Sequence, residues 1–468
     1  MAGTFTLGET KVRPGSYFNI QKNGGSDDTG IMNGVTAVLF RADFGPLNTV
    51  VELDADDGYE QTFGTGLTTD AIGQAIAGGA KTIIACRVGS GGSKGRISLN
   101  DADGEEALRI MARYPGDRGF MVTLRDKISN PARKECIFYS GTSEVEKLEF
   151  PSGEGEAKAL ADALSASSNF EAELKEGKDR AQLAPVFQDF FEDGENPQAT
   201  AEDYSNALAQ VESYEYNTIC LDTEDMEIHL MLQAFLSRIY AAGSLAQAVV
   251  AEKHTIDLEE RMMHAAGFND EKMNYVLNAW VAEQGMEIDG YQTAARIAGM
   301  IGSASSGTSL THAVTGFSEI LERLTNTAMV AAEEAGCIVL SHNSKKQVWI
   351  DNAINTLVSP AERQDEGWKK IRRVTARFEL VRRISVIMEE LMGSLDNDAN
   401  GRATALSLVQ GVGDSMVEEG KLVSCSVEES GTYEADTDSA WFDIDVVDKD
   451  SIEHVYLSFR FQFSTSEG

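Results

Sequence analysis

The sequence predicts a mixed α/β plus β fold: a doubly wound α/β domain in the middle, a small β-sandwich inserted before it, and an α+β C-terminal domain. Three observations support this prediction. Between about residues 200 and 345, short apolar runs alternate with helical patterns, which is typical of a mostly parallel sheet. Residues 94–152 contain short strand patterns separated by turns. The chain ends in a strand pattern that alternates apolar and polar residues from 455 to 463.

Length and breaks in the pattern divide the chain. A chain of 468 residues is too long for a single hydrophobic core. The glycine- and serine-rich stretch 89–93 indicates a crossing between domains. We predict an N-terminal linking arm at 1–30, an N-terminal α/β segment at 31–92, a β-sandwich domain at 93–180, an α/β domain at 181–345 and an α+β C-terminal domain at 346–468.

The first half of the chain has recognisable elements in order. Residues 35–40 and 81–88 have the pattern of buried strands, and 69–77 that of an amphipathic helix with Ile72 and Ile76 facing inward. In the β-rich region, short strands are predicted at 96–99, 120–125, 135–139 and 145–150, with a covering helix at 154–165.

The second half alternates strands and helices and then changes character. Strands are predicted at 218–222, 246–251, 275–282 and 337–341, and helices at 225–241, 257–266 and 291–301. After a strand at 347–351, the C-terminal domain contains a long helix at 367–392, a second helix at 403–419, and strands at 422–428 and 441–447.

The two ends of the chain have the pattern of strands that pair with another subunit. In the last strand, Leu457, Phe459, Phe461 and Phe463 share one face. At the other end, residues 11–20 form a short strand pattern that carries Tyr17, Phe18 and Ile20, followed by a loose polar tract at 23–30. Extended arms and open sheet edges suit strand exchange between subunits, so these ends indicate assembly.

Composition and charge exclude several classes of protein. The hydrophobic content of 42% and charged content of 25% are those of an ordinary globular protein. The net charge of −35 argues against a nucleic acid partner, which is bound by neutralising phosphates. No apolar run is long enough to insert into a membrane, and no secretory signal is apparent. The five scattered cysteines predict buried free thiols in a protein made in a reducing compartment.

A basic helix interrupts this acidic chain. Residues 369–383 contain seven basic residues and one acidic residue, a net charge of +6. Lys370, Arg373 and Arg377 lie on one flank, where either a solvated face or a docking surface for an acidic protein partner fits equally well. An apolar stripe predicted to face the core consists of Ile371, Val374, Phe378, Val381, Ser385, Met388 and Met392.

The candidate chemical motifs predict neither a catalytic nor a metal site. A Gly-Thr-Ser step at 307–309 and an Asp-Thr-Gly step at 28–30 resemble two motifs of subtilisin-like proteases, but the His-Gly step is missing, so we expect a structural loop. Residues 396–401 resemble the opening of a calcium loop, but position twelve is Ser407, which favours a helix N-cap. The acidic cluster Asp54, Asp56 and Asp57 is interpreted as a solvated loop. No nucleotide-binding motif is present, and we predict no cofactor.

Motifs in chain order point to a family. They are 11–15 with Tyr17, then 75–82 leading into Arg87 and Val88, then 114–119, 298–311, 354–357, the turn 400–402 and the terminal strand. With these motifs the chain resembles contractile tail sheath proteins of myophages and of phage-derived (R-type) bacteriocins of the Gram-positive type. Two positions depart from the family pattern: Phe120 stands where Asn is usual, and 302–307 replaces a common Ala-Gly-Thr-Pro loop.

The resemblance implies a structural role. It implies a subtilisin-like central topology without a catalytic triad, an outward β-domain, and stacked hexameric rings that surround a tail tube and contract. The terminal strands would link neighbouring copies, with Gly24 and Gly25 as a hinge. Lys369, Lys370, Arg373 and Arg377 would contact the tail tube protein. Baseplate and tail terminator proteins would be further partners, and the product would be a virion tail or a bacteriocin particle.

Two alternatives remain open from the sequence. The chain could be a subtilase-like or nucleotide-using α/β enzyme, or a scaffold of similar topology that never polymerises.

Overall fold

The computed structural model describes residues 32–362, 364–453 and 455–461. The predicted strands and helix of the first segment are present, with an additional edge strand and a short helix between them. The elements are β1 (Val35–Phe40), β2 (Val50–Asp54), α1 (Tyr59–Phe63), α2 (Asp70–Ala77) and β3 (Thr82–Arg87).

A β-domain follows, built from two antiparallel sheets that share one apolar core. In β4, for example, Ile97 and Leu99 are buried while the three alternate residues are exposed, as expected for a strand covered on one face. The sheets are ordered β4-β5-β9 and β10-β6-β7-β8. The elements are β4 (Arg96–Asn100), β5 (Glu106–Ala112), β6 (Phe120–Asp126), β7 (Arg133–Ser140), β8 (Ser143–Pro151), α3 (Glu156–Leu164), β9 (Phe170–Leu174) and β10 (Val186–Phe190).

The next region alternates helices and strands as predicted, with two corrections. The strand predicted at 337–341 divides into Cys337–Ile338, which pairs with Tyr275 and Val276, and Leu340–His342, which pairs with Val348–Ile350. The strand predicted at 275–282 is wrong as a single element. The chain leaves the sheet after Val276, and the Asn278 side chain exchanges two hydrogen bonds with the backbone of Leu340. The elements are α4 (Ala201–Val211), β11 (Thr218–Leu221), α5 (Met226–Ala242), β12 (Gln247–Val250), α6 (Leu258–Phe268), β13 (Met273–Val276), β14 (Val281–Glu283), β15 (Met286–Ile288), α7 (Gly290–Ser303), β16 (Glu319–Ile320), α8 (Asn326–Glu334) and β17 (Cys337–Ile338).

One large sheet joins the first segment to this region. Its order is β17-β13-β12-β11-β1-β3-β2, parallel except for the edge strand β2. The segments 31–92 and 181–345 therefore contribute strands to the same sheet. Apolar cores cover both faces: α2 and α7 pack on one face, and α4, α5 and α6 on the other. In chain order, the β-domain follows β3 and precedes α4.

The C-terminal region carries two long helices and a β-hairpin. Its elements are β18 (Leu340–His342), β19 (Val348–Ile350), a 3-10 turn at Glu366–Lys369, α9 (Ile371–Leu391), α10 (Ala399–Glu418), β20 (Leu422–Glu429) and β21 (Phe442–Asp448). Asp398 caps α10 by accepting hydrogen bonds from the backbone N–H groups of Asn400 (2.9 Å) and Gly401 (2.8 Å). The N-cap interpretation of the acidic turn is therefore confirmed.

The apolar stripe predicted along α9 is correct in its first half and at Met388, which packs against the core formed with α10 and the hairpin. Ile371, Val374 and Phe378 are buried, but Val381 and Met392 are exposed. The reason is a change of partner along the helix. Its first half packs near Leu245 of the central domain, and its second half packs on α10 and the hairpin through a different face that includes Leu380 and Ile384, as well as Ile387.

Candidate functional site

The described residues of the predicted linking strand, 455–461, are exposed to solvent. Residues 455–461 form no strand within the described chain. Leu457, Phe459 and Phe461 are 71%, 73% and 85% exposed, and the rings of Phe459 and Phe461 lie 6.3 Å apart. Their alternation leaves a row of apolar side chains in solvent, which is unusual for a single subunit. The other predicted linking and hinge residues lie outside the described residues: Tyr17, Phe18, Ile20, Gly24, Gly25 and Phe463.

The β20–β21 hairpin offers an edge for such a strand. The two strands pair antiparallel with each other, and among the described residues they pair with no further strand. Cys425 and Val427 face the α9–α10 core, whereas Val423 and Val447 are exposed. The outer edge of β20 is partly occupied, because the Gln410 side chain hydrogen-bonds to the backbone of Cys425 and Val427, each at 3.0 Å. The β21 edge is therefore the better template for an added strand.

The predicted tube-contacting residues form ion pairs within this chain. Lys370 pairs with Glu453, and the Nε atoms of Arg373 and Arg377 lie 3.1 Å and 2.7 Å from Asp448 Oδ2. Lys369 pairs with Glu366 on the neighbouring turn at 2.7 Å. These pairs give the basic flank an internal role, whereas its contact with a tube stays a prediction.

Glu453 and Asp448 were not identified from the sequence. Each lies more than seventy residues from its basic partner along the chain, and ion pairs at that separation leave no periodic signal. Burial alone would raise the pKa of Glu453, but the hydrogen bond and charge of Lys370 outweigh it and lower that pKa below the ordinary value. The sequence signal available for them was the concentration of acidic residues in β21 and just after it.

Two further arginines of α9, Arg382 and Arg383, hold the helix in place. Arg382 donates to the backbone carbonyl of Leu245 in the central domain. Arg383 donates to Glu419 Oε1 at 2.7 Å and also pairs with Glu379. The net charge of +6 predicted for residues 369–383 is therefore largely balanced by nearby carboxylates of the same chain.

The carboxyl edge of the large sheet is occupied by the protein's own polar groups. Ligands of open α/β sheets usually bind beyond this edge. Here Asp222, which follows β11, accepts from Arg41 Nε at 2.8 Å. After β12, Glu252 accepts from Tyr275 Oη at 2.7 Å and pairs with His264 Nδ1 at 2.9 Å. These hydrogen bonds stabilise the sheet edge. They also occupy the carboxylates of Asp222 and Glu252, which a ligand at this edge would otherwise contact.

A cavity of about 220 Å³ lies beside Asp222. Its lining includes Thr200 and Asp225, whose side chains already cap α4 and α5 by accepting backbone N–H groups. The lining polar groups therefore act within the fold.

The Gly-Thr-Ser loop does not assemble a hydrolase site among the described residues. There, the hydrogen bonds of Ser309 Oγ go to Glu453 Oε1 (3.3 Å) and to the backbone N–H of Thr311 (3.2 Å). His312 instead stacks on Trp349, with ring centroids 3.9 Å apart. A serine nucleophile needs a histidine or equivalent base as its partner, and this serine is paired with a carboxylate.

The cysteines and acidic clusters add no reactive group. All five cysteines are free and buried, and burial raises the pKa of Cys86 and Cys337 to about 12, so both stay protonated at neutral pH. Within the described ranges, no group of three or more His, Cys, Asp or Glu side chains is placed to hold a metal ion. In those ranges, too, no helix combines the length and apolar character needed to cross a bilayer.

Comparison with known proteins gives this fold its family context. Residues 198–356 match the family model of the phage tail sheath protein central domain. The predicted resemblance to tail sheath proteins is confirmed. The chain is 23% identical over 428 residues to the phage-like element PBSX protein XkdK of Bacillus subtilis (strain 168), with 84% of each chain covered.

Solved structures share the fold along nearly the whole chain. The sheath tail protein of Desulfitobacterium hafniense superposes with a TM-score of 0.69 at 17% identity, covering 92% of this chain and 100% of that one. The helical sheath of the anti-feeding prophage in its contracted state gives a TM-score of 0.53 at 10% identity, covering 97% and 99%. The mixed α/β fold is thus that of tail sheath proteins.

Proposed function

We propose that the chain is a structural subunit of a contractile tail sheath that polymerises as stacked rings around a tail tube and contracts to drive the tube through a cell envelope. The observation that carries this proposal is the exposed apolar segment 455–461, in a chain whose family and fold matches are sheath proteins. A subunit that projects such a segment gains its missing hydrogen bonds and apolar contacts from other copies.

Strand exchange joins the subunits in this proposal. Leu457, Phe459, Phe461 and Phe463 would add to the β20–β21 edge of a neighbour, together with an arm that carries Tyr17, Phe18 and Ile20. Backbone hydrogen bonds supply the affinity, and the apolar face fixes the register. Gly24 and Gly25 would allow the arm to turn as subunits reorient. A head-to-tail contact that does not close generates a helical tube.

The proposed function involves other protein partners and no catalytic activity. The tail tube protein would contact the basic helix at Lys369, Lys370, Arg373 and Arg377, and baseplate and tail terminator proteins would meet the ends of the sheath. The central sheet would follow a subtilisin-like connectivity without catalysis, cofactor or metal. The chain would be made in the bacterial cytoplasm and released in a virion or bacteriocin particle, with no nucleic acid partner and no membrane insertion.

The strand-exchange claim is tested on the exposed face of the last strand. In the full-length protein, Phe459→Asp with Phe461→Asp places two charges on the apolar face and should abolish tubes seen by negative-stain electron microscopy. Ser458→Asp with Gln462→Asp adds the same charge to the opposite face and should leave tubes intact. Normal tubes from the phenylalanine variant, or equal loss in both variants, would contradict strand exchange through this face.

The enzyme alternative makes opposite predictions. It requires labelling of Ser309 by an active-site serine probe, or saturable nucleotide binding, with no tubes at high concentration. The internal hydrogen bonds of Ser309 favour the structural role.

A further inference from the structure

The short segment between β21 and the exposed strand is held at both ends. Asp448 is the last residue of β21, and Glu453 lies five residues later, just before the exposed residues 455–461. The side chains of these two acids are only 5% and 10% exposed. Two buried carboxylates so close together in an otherwise exposed stretch require strong local compensation.

At the first point, two guanidinium groups converge on one carboxylate. Arg373 and Arg377 lie one helical turn apart on α9, and their Nε atoms reach Asp448 Oδ2 at 3.1 Å and 2.7 Å. Arg377 also stacks over the ring of Trp368, 4.1 Å from its centroid. Because the guanidinium is planar and directional, this stacking fixes the position of Asp448 more firmly than a lone charge would.

At the second point, the chain is held against the central domain. Glu453 pairs with Lys370 and accepts from Thr311 Oγ1 at 3.1 Å and Ser309 Oγ at 3.3 Å. Thr311 Oγ1 in turn accepts from the backbone N–H of Ala353 at 3.1 Å. Glu453 thus connects the start of α9 to the 305–315 loop and to the chain beyond β19.

Residues 455–461, which follow Glu453, are exposed. The segment 448–453, called the root of the C-terminal strand, is therefore fixed and is followed by an exposed segment. A segment that is already oriented loses less conformational freedom when a partner binds it. Through Asp448 and Glu453 the root contacts both α9 and the central domain. A force applied to the C-terminal strand would therefore be transmitted to both.

We infer that Lys370, Arg373 and Arg377 are positioning residues that, through Asp448 and Glu453, anchor the root of the C-terminal strand and aim it at a neighbouring copy. This inference rests on the proposed function, in which that strand pairs with another subunit. It assigns the flank of the basic helix a role inside the subunit, separate from any contact with a tube.

The first test removes the anchor charges from the full-length protein. Asp448→Asn with Glu453→Gln is compared with Asp103→Asn and Glu176→Gln, two exposed acids of the β-domain that give the same change in net charge. The anchor variant should need about tenfold more protein to form tubes, and the control should behave as the wild type. Equal tube formation by both variants would overturn the inference.

Tryptic digestion of the unassembled subunit measures how firmly the segment between Asp448 and Glu453 is held, independently of assembly. Lys449 lies between the two anchor points and Arg460 lies in the exposed strand. Cleavage after Lys449 should accelerate at least about tenfold in the anchor variant, while cleavage after Arg460 stays unchanged as an internal control. Unchanged cleavage at Lys449 counts against the anchor. If even the wild type forms no tubes, the proposed function fails, and this digest still decides whether the anchor exists.

A charge swap separates the anchor from tube binding and covers the case in which the anchor variant misfolds. Lys370→Glu alone should weaken self-assembly, and Lys370→Glu with Glu453→Lys should restore it. If Lys370 acted only on an acidic tube, the swap would leave self-assembly of both variants at the wild-type level.

Discussion

At the residue scale, one buried arginine explains two of the sequence motifs. Arg87, at the end of β3, is fully buried and donates to the backbone carbonyls of Ala42 (2.8 Å), Gly45 (2.7 Å) and Pro115 (2.8 Å). Burial lowers its pKa to about 10, so it stays charged at neutral pH. It thereby joins the Tyr-Pro-Gly turn of the β-domain to the edge of the large sheet.

Replacing this side chain should be costly. Arg87→Leu leaves three carbonyl groups without their donor, and we expect a loss of about 3 kcal/mol or more in the free energy of unfolding. Arg180→Leu is the control, since Arg180 is exposed and only 3.5 Å from an exposed Glu154, and it should change stability by less than about 0.5 kcal/mol. Urea denaturation followed by circular dichroism compares the two, and similar midpoints would contradict this role for Arg87.

The departure from the family pattern at Phe120 also has a local reason. The ring is buried and packs edge-on against Phe44 and Phe170, at centroid distances of 5.1 Å and 4.9 Å. Arg118 lies 5.3 Å over the same ring. A large aromatic side chain thus fills the β-domain core, where the turn brings the guanidinium above it.

At the element scale, two glycine motifs meet where α2 and α7 cross. A Cβ atom at Gly299 would lie 2.1 Å from the carbonyl oxygen of Ala75, and one at Gly78 would lie 2.1 Å from that of Arg296. The backbones therefore approach closely enough that only glycine fits. The motifs at 75–82 and 298–311, separate in sequence, form one contact.

A methyl group at this crossing should push the helices apart. Gly299→Ala is expected to destabilise the protein by about 1–3 kcal/mol, because the obstacle is backbone that cannot rotate away. Gly267→Ala, in α6, meets no atom within 4 Å and should stabilise it by a few tenths of a kcal/mol up to about 1 kcal/mol. Thermal unfolding of the two variants should shift in opposite directions; shifts of the same sign would show that the crossing tolerates a side chain.

Elements with a strong period were predictable from the sequence, and those that depend on distant partners were not. β1, β3 and β11 appear where apolar runs predict them. β5 was missed because Glu106–Ala112 is rich in helix-forming residues, and pairing with β4 and β9 overrides that preference. The linking strand was visible in its alternation, whereas its anchor at Asp448 and Glu453 depends on contacts across the fold.

At the scale of the whole molecule, net charge and assembly oppose each other. Each chain carries a net charge of −35, so packing copies into a tube brings like charges together. Salt screens exposed charges over about 10 Å at 0.1 M and affects buried pairs much less. Self-assembly and tube binding should therefore respond to salt in opposite ways.

We expect the protein concentration needed for self-assembly to fall as ionic strength rises from about 0.02 M to about 0.2 M, because repulsion between acidic subunits is screened. Over the same range, binding of the subunit to an acidic tube should weaken, because that attraction is screened as well. Lys369→Gln should reduce the salt dependence of tube binding only, since Lys369 pairs with exposed Glu366 and leaves Asp448 and Glu453 with their own partners. Sedimentation of the sheath with and without tube measures both effects, and a tube affinity that rises with salt would rule out the electrostatic contact.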